Sequence, residues 1–287
     1  MAALVDHALF SLRRLSSLPA DHPRLAVVLD QHRQTVADLD AAILAPLGPA
    51  GDDLIVVPTR LLHATPWWAL PGVQATRRTV VAPSAAWWVG ADDPAAHGHG
   101  ALLAHGPQLP EATAEIAAVA AVVGPWASTV LSGAAACVDA VLDGMGRADL
   151  VHLAAHGRFN AANPMFSSLQ LADGLLYVHD LERLPRSPRT VVLTACSAAR
   201  AGVYGGDEML GTSVALLALG VRAVVAPLLP VRDDAARWLA VDLHRRMAAG
   251  ATPGEALTAT VAGAASEGDA LLLAAAASTL CISRADG

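Results

Sequence analysis

Residues 149–159 read DLVHLAAHGRF and residues 189–202 read RTVVLTACSAARAG. Each opens with an apolar run that does not alternate between a wet and a dry face. Such runs mark strands covered on both sides in a parallel sheet. Each run then meets one chemically versatile side chain among small residues. His156 is followed at once by Gly157, and Cys196 by Ser197 and two alanines. In a parallel α/β sheet, ligands and chemistry gather at the carboxyl ends of the strands. If the two strands are neighbours, His156 and Cys196 project from the same edge. The imidazole can then take the thiol proton, and the thiolate is the nucleophile. Backbone N–H groups of Gly157 and Cys196 at the strand ends are candidate donors to an oxyanion, a contribution of about 2.7–4 kcal/mol per donor.

Working outward, short β-rich runs alternate with Ala-rich helical stretches from Asp52 onward. Strands are expected at Leu54–Val57, Thr79–Ala82, Leu102–Ala104, Thr129–Leu131, Leu150–Ala154, Thr190–Thr194 and Ala223–Ala226. Helices are expected at Pro110–Val123, Ala135–Met145, Glu208–Leu219, Asp233–Ala249 and Pro253–Ala265. This alternation predicts an α/β sandwich with helices on both faces of the sheet. Residues 1–47 read instead as two helices. Leu4, Leu9, Leu12 and Leu15, then Leu25, Val28, Leu29, Val36, Leu39 and Ile43, recur at spacings near three and four. The expected division is a helical segment over 1–47 and an α/β domain over 48–287. The DDPAAHGHG stretch and the glycines of 202–206 read as surface loops.

Composition narrows the classes. The chain is 54% hydrophobic and 16% charged, too apolar for disorder. Its net charge of −7 and lack of any Lys/Arg run of five or more argue against nucleic acid as a direct partner. The longest uncharged stretch, Ile116 to Val138, is long enough to span a bilayer, which takes roughly 20 residues. Gly124 and Pro125 interrupt it, and Ser128, Thr129 and Ser132 follow, so no membrane span is expected. The N-terminus places Arg13 and Arg14 after its apolar part, the reverse of a signal peptide. A cytoplasmic protein is the expectation. Three cysteines, Cys137, Cys196 and Cys281, with no C-x-x-C pair, make neither a disulfide framework nor a zinc site.

Other residues carry plainer readings. A Cys at the end of an apolar strand is more often a small buried hydrophobe than a nucleophile. It is the matched position of His156 and Cys196 at two strand ends that favours chemistry. His152 shares a strand face with position 156 but lacks the Glu of a helical H-E-x-x-H metal motif, so it reads as structural. His97 and His99 fall in the glycine loop, and Cys137 is expected to pack within a helix. In the pairs Trp67–Trp68 and Trp87–Trp88, one ring is expected inside and one at the rim. Asp207 and Glu208 open one helix, Asp233 and Asp234 another. Acids suit a helix N-terminus, and Asp233 is expected as the N-cap. Both clusters are also candidate floors for a pocket that takes a cationic side chain.

The same residues resemble a known family. LAPLGPAGDDLIVVPTRLLHATPWWAL, VVAPS, LVHLAAHG, VVLTACSAARAG, GGDEMLGTSVALLALGVRAVVAPLLPVRDDAA and AGATPGEALTAT together resemble the CHAT domain, the caspase/separase-type cysteine peptidase module of bacterial proteins. The resemblance runs from about Leu39 to near the C-terminus. It implies a caspase-like αβα sandwich with a mainly parallel central sheet, preceded here by short N-terminal helices. By the same resemblance His156 is the general base and later acid, Cys196 the nucleophile, and Gly157 the oxyanion-binding glycine. Asp233 matches an acidic position that takes a basic P1 side chain in related separases, with Asp207 and Glu208 as further substrate-binding candidates. Departures fall around the pocket: Leu229 stands where many members have Trp, and Pro227 where Ser is more usual.

The implied function is a cysteine endopeptidase with a His/Cys dyad, cutting after Arg or Lys in a protein or peptide substrate. A regulatory protein partner or effector is expected to gate it. The chemistry requires no metal or organic cofactor, although related peptidases sometimes need calcium for activation. Two alternatives stand beside it: a catalytically degenerate scaffold used as a protein-interaction module, and a hydrolase acting on a non-peptide ester or amide. Family members carry helical repeats upstream, so this chain reads as a short form or an excerpt.

Overall fold

In the computed structural model, the described residues are 1–48, 51–90, 100–124, 128–158, 160, 163–194, 213, 215–267 and 269–284. Two helices come first, α1 (Ala2–Ser17) and α2 (Leu25–Ile43). Their apolar stripes, Val5, Leu9, Leu12 and Leu15 on α1 and Val28, Val36 and Leu39 on α2, are buried. His32 lies in the same stripe, with its Nδ1 2.9 Å from the Ser11 hydroxyl. The pair packs against the body of the molecule: Gly72 donates its N–H to Asp40 Oδ1 at 2.8 Å.

From there the chain alternates strand and helix. The strands are β1 (Asp53–Val56), β2 (Arg78–Val81), β3 (Ala101–His105), β4 (Ser128–Leu131), β5 (Leu150–Ala154), β6 (Gly157–Arg158), β7 (Ser168–Gln170), β8 (Leu175–Tyr177), β9 (Thr190–Leu193), β10 (Ala223–Pro227) and β11 (Thr279–Ser283). The remaining helices are the single turns α3 (Pro71–Gln74) and α4 (Ala85–Trp88), then α5 (Ala112–Val123), α6 (Val138–Met145), α7 (Asp233–Ala248), α8 (Pro253–Glu267) and α9 (Ala270–Ala277). Ser213 and residues 215–218 are also helical, inside the helix expected at Glu208–Leu219.

Eight strands form one sheet in the order β1-β2-β11-β10-β9-β5-β3-β4. Every ladder in it is parallel except β10–β11. The fold is therefore α/β with a mainly parallel central sheet. All five residues of β5 and all four of β9 are buried, as their unbroken apolar runs require. Side chains alternate between the two layers. Leu153, Val191 and Leu193 meet Met145 of α6 and Leu216 on one side. Val192 and Thr194 meet Ala236, Leu239 and Leu243 of α7 on the other. A second, three-stranded antiparallel sheet, β6-β7-β8, follows β5 directly.

Two local expectations are corrected. Trp67 and Trp68 are both buried rather than split between core and rim. They occupy a tight 3₁₀ turn (Trp67–Ala69), where neighbouring side chains diverge by about 120° and two walls can enclose both. Trp68 donates its indole N–H to Thr258 Oγ1 at 3.2 Å. Trp87 and Trp88 are both half-buried, under the guanidinium groups of Arg284 and Arg78. Cys137 is not inside a helix. It is the N-cap of α6, with extended backbone and partial exposure.

Candidate active site

The carboxyl ends of β3 and β5 meet where the strand order reverses. β4 lies beyond β3 on one side, while β9 and β10 lie beyond β5 on the other. A reversal of this kind leaves a crevice between the outgoing loops. The loop after β3 forms one wall. Gly106 donates its N–H to the Ala154 carbonyl at 2.8 Å. It runs so close to β7 that a Cβ placed on it would stand 2.2 Å from the Gln170 carbonyl oxygen. Two residues later, Gln108 adopts φ +61°. This is the left-handed region, which costs a residue with a side chain roughly 1–2 kcal/mol. In that conformation its carbonyl oxygen lies 3.2 Å from Nε2 of His156.

That contact orients the imidazole. A carbonyl oxygen only accepts, so Nε2 is the donor, and in the neutral ring the lone pair sits on Nδ1. The His156 main chain is held as well, since its carbonyl accepts from the Gln170 N–H at 2.8 Å. The loop after β3 and the end of strand β7 thus fix ring and backbone of one half-buried histidine. Gly157 comes next and opens β6 opposite Leu169. Its φ is not positive, and an added Cβ would meet Leu169 Cδ2 at an ordinary 3.7 Å. Neither backbone conformation nor packing within the chain demands glycine there.

Asp233 is the first residue of α7, and the N-cap is Arg232, without a side-chain cap. The expectation that Asp233 caps the helix is corrected accordingly. Its neighbour Asp234 does the local work instead, accepting from the Ala235 N–H at 2.9 Å and from Arg232 at 3.0 Å. The Arg232 hydrogen bond holds the Asp234 carboxyl below its usual range. Half-buried Asp233 makes no ion pair among the described residues. Together with Leu109, Glu111, Glu115 and Thr194 it lines a small cavity of about 10 Å³. That cavity adjoins the loop carrying Gln108.

Cys196, Asp207 and Glu208 lie outside the described residues, as do His97 and His99. Thr194 is the last described residue before Cys196, and its N–H donates to the Leu153 carbonyl at 3.1 Å. β9 therefore stays paired with β5 up to that point. Cys281 is fully buried in β11, and burial pushes its thiol up to about 12, so it stays protonated and inert. Among the described residues, no group of three or more His, Cys, Asp or Glu side chains is placed to hold a metal ion. Sequence reasoning missed Gln108, Glu115 and Thr194. Gln108 sits in a Gly-Pro turn directly after a strand, which is a readable signal. Nothing in the sequence marks Glu115, one acid on an Ala-rich helix.

An α/β sandwich with a histidine pinned at the switch point of its sheet defines the class. The chain belongs to the CHAT domain family, whose sequence pattern matches residues 33–269. No curated protein matches the sequence. Among solved structures, two of the Saccharomyces cerevisiae separase–securin complex, at 3.0 and 2.6 Å resolution, share the fold, with TM-scores of 0.57 and 0.58. Each is 12% identical and covers 96% of this chain, which spans 20% of the length of the chain it matches. The likeness is one of fold, and that fold is caspase-like, as the resemblance implied. Among the described residues, no helix is long and apolar enough to cross a membrane.

Proposed function

We propose that this chain is a cysteine endopeptidase in which His156 activates the thiol of Cys196 and Asp233 receives a basic P1 side chain. One observation carries the reading. β5 and β9 are hydrogen-bonded neighbours in a constant register, Leu150 opposite Thr190 through Leu153 opposite Leu193. That offset of 40 is also the offset between His156 and Cys196. Cys196 follows Thr194 by two residues, a reach of at most about 7 Å. A pinned imidazole with its lone pair on Nδ1 supports a role as base.

The reaction then follows ordinary thiol chemistry. The imidazole takes the Sγ proton, and Sγ bonds to the scissile carbonyl carbon. The carbonyl oxygen becomes an oxyanion that accepts from main-chain N–H groups, that of Gly157 among them. The C–N bond breaks as the imidazolium returns its proton to the leaving amine. Water, deprotonated by the imidazole, then cleaves the thioester. Asp233 supports a basic P1 preference because its carboxylate has no cationic partner among the described residues and faces a cavity with Glu111. Asp207 and Glu208 remain further candidates for the same pocket. A protein partner is proposed to gate cleavage, as the separase in the solved complexes is bound to securin.

Fluorogenic peptides with Arg, Lys, Asp or Leu at P1 test this directly. Wild type should cleave the Arg and Lys peptides, with or without an added activator from lysate. His156→Ala and Cys196→Ala should each abolish cleavage while melting as wild type does. Asp233→Asn should raise KM for the basic peptides about tenfold or more with little effect on kcat. Cleavage that survives both dyad substitutions would overturn the assignment.

A further inference from the structure

Beneath the crevice lies a buried polar cluster that peptidase chemistry does not itself call on. Glu115 of α5, His152 of β5, Thr194 after β9 and His244 of α7 come from four separate elements and are all buried. Thr194 Oγ1 donates to Glu115 Oε1 at 2.5 Å, and His152 Nε2 donates to the same oxygen at 2.8 Å. The rings of His152 and His244 meet edge to face, 4.9 Å between centroids. His244 Nδ1 donates to the Ala240 carbonyl at 2.8 Å. Burial, with His152 beside it, lowers the His244 pKa to about 3, so that ring is neutral.

Stability alone does not ask for this arrangement. A buried carboxylate is expensive to desolvate, and well-packed apolar side chains of similar volume often serve as well or better. The cluster is also incompletely satisfied. His152 Nδ1 and His244 Nε2 are both buried without a hydrogen-bond partner among the described residues. Polar groups kept at such a cost call for an explanation other than packing. Their position supplies one. Thr194 precedes Cys196 by two residues, and His152 precedes His156 by four. One carboxylate oxygen therefore ties together the two strands that lead to the proposed dyad. The same helix, α5, reaches α7 through Glu111, which pairs with Arg237 at 3.3 Å beside the cavity that holds Asp233.

We propose that Glu115 and Thr194 are positioning residues that fix the end of β9 against β5 and so set the separation of thiol and imidazole. The proposal rests on the peptidase reading, and the test separates the two. Wild type, Thr194→Val, Thr194→Ser, Glu115→Gln and His156→Ala, each as the whole 287-residue chain, are compared in three measurements: melting temperature, kcat and KM on the Arg peptide, and the rate at which iodoacetamide alkylates Cys196 at pH 7, read by peptide mass. T194V keeps the shape and removes the hydroxyl. It should lower kcat toward the hundredfold that about 1 Å of misplacement can cost, with KM within about twofold. Its alkylation rate should fall toward that of H156A. T194S should restore both, and E115Q should fall between. Should T194V lose its fold, E115Q against T194S carries the same comparison. T194V and E115Q with wild-type kcat and alkylation rate, whatever their melting temperature, would overturn positioning while leaving the dyad intact. A wild-type thiol that reacts no faster than in H156A would instead overturn the dyad, and positioning with it.

Discussion

A single methyl group at position 106 should disturb fold and site together. The Cβ of Gly106→Ala would stand 2.2 Å from the Gln170 carbonyl oxygen and 3.3 Å from Ala155 Cβ. Ordinary contact begins near 3.4 Å, so β7 must retreat by about 1.2 Å, and the obstacle is backbone that cannot swing away. The Gln170 N–H to His156 carbonyl bond, now 2.8 Å, would stretch out of range. Overpacking costs about 1–3 kcal/mol and the lost bond about 1 kcal/mol, so the sum is about 2–4 kcal/mol. At roughly 2–4 °C per kcal/mol for a chain of this size class, the melting temperature should drop by roughly 5–15 °C. Thermal melts by circular dichroism measure this. Below the transition, peptidase kcat should fall about tenfold or more, because the backbone that carries His156 has moved. An alanine variant that melts within 2 °C of wild type and cleaves normally would refute the close approach and its link to the histidine.

Position 157 should behave oppositely. Gly157→Ala has room for its Cβ, 3.7 Å from Leu169 Cδ2, so its melting temperature should stay within about 1 °C while kcat/KM falls about a hundredfold, if substrate occupies that space; an unchanged rate would remove Gly157 from the site. At Gln108, with φ +61°, glycine should be tolerated or slightly stabilising, by up to about 1 kcal/mol, with cleavage retained, whereas proline cannot take that angle and should lose both. Kinetics and melts on Q108G and Q108P decide it. His32 is held neutral, its pKa lowered from 6.5 to about 4 by burial and by Arg33. Between those values the unfolded chain binds a proton that the folded chain refuses, so stability is level above about pH 6.5 and falls as pH drops toward 4. His32→Gln should make the fall of the melting temperature in that window shallower, leaving the part that His244, lowered to about 3, contributes in the same direction, and an equally steep profile would count against the assignment.

Periodicity read most of the scaffold because long elements leave long signals. The stripes of α1 and α2, and the unbroken runs of β5, β9 and β10, sit within a residue or two of where the pattern put them. The reading failed where tertiary contacts decide. β11 was missed because TLCIS follows an alanine run that looks helical throughout, and only its place between β2 and β10 makes it a strand. β6, β7 and β8 are two or three residues each, too short for any period to register. At the site, His156 and Gly157 were legible as a motif at a strand end. Glu115 and Thr194 were not, and Gln108 left only the Gly-Pro turn before it, since what singles these residues out is a backbone angle and a shared carboxylate oxygen. Sequence holds no direct trace of either.

The placement of β11 has a consequence for biosynthesis. It is the latest of the described strands, yet it stands third from one edge of the eight, between β2, made early, and β10. A ribosome delivers residues from the N-terminus, so the strand that joins β1–β2 to the other five is missing from the nascent polypeptide until Thr279–Ser283 emerge. Such a sheet waits on a keystone laid after both its neighbours. Its exposed rims during that interval are where chaperones would be most needed.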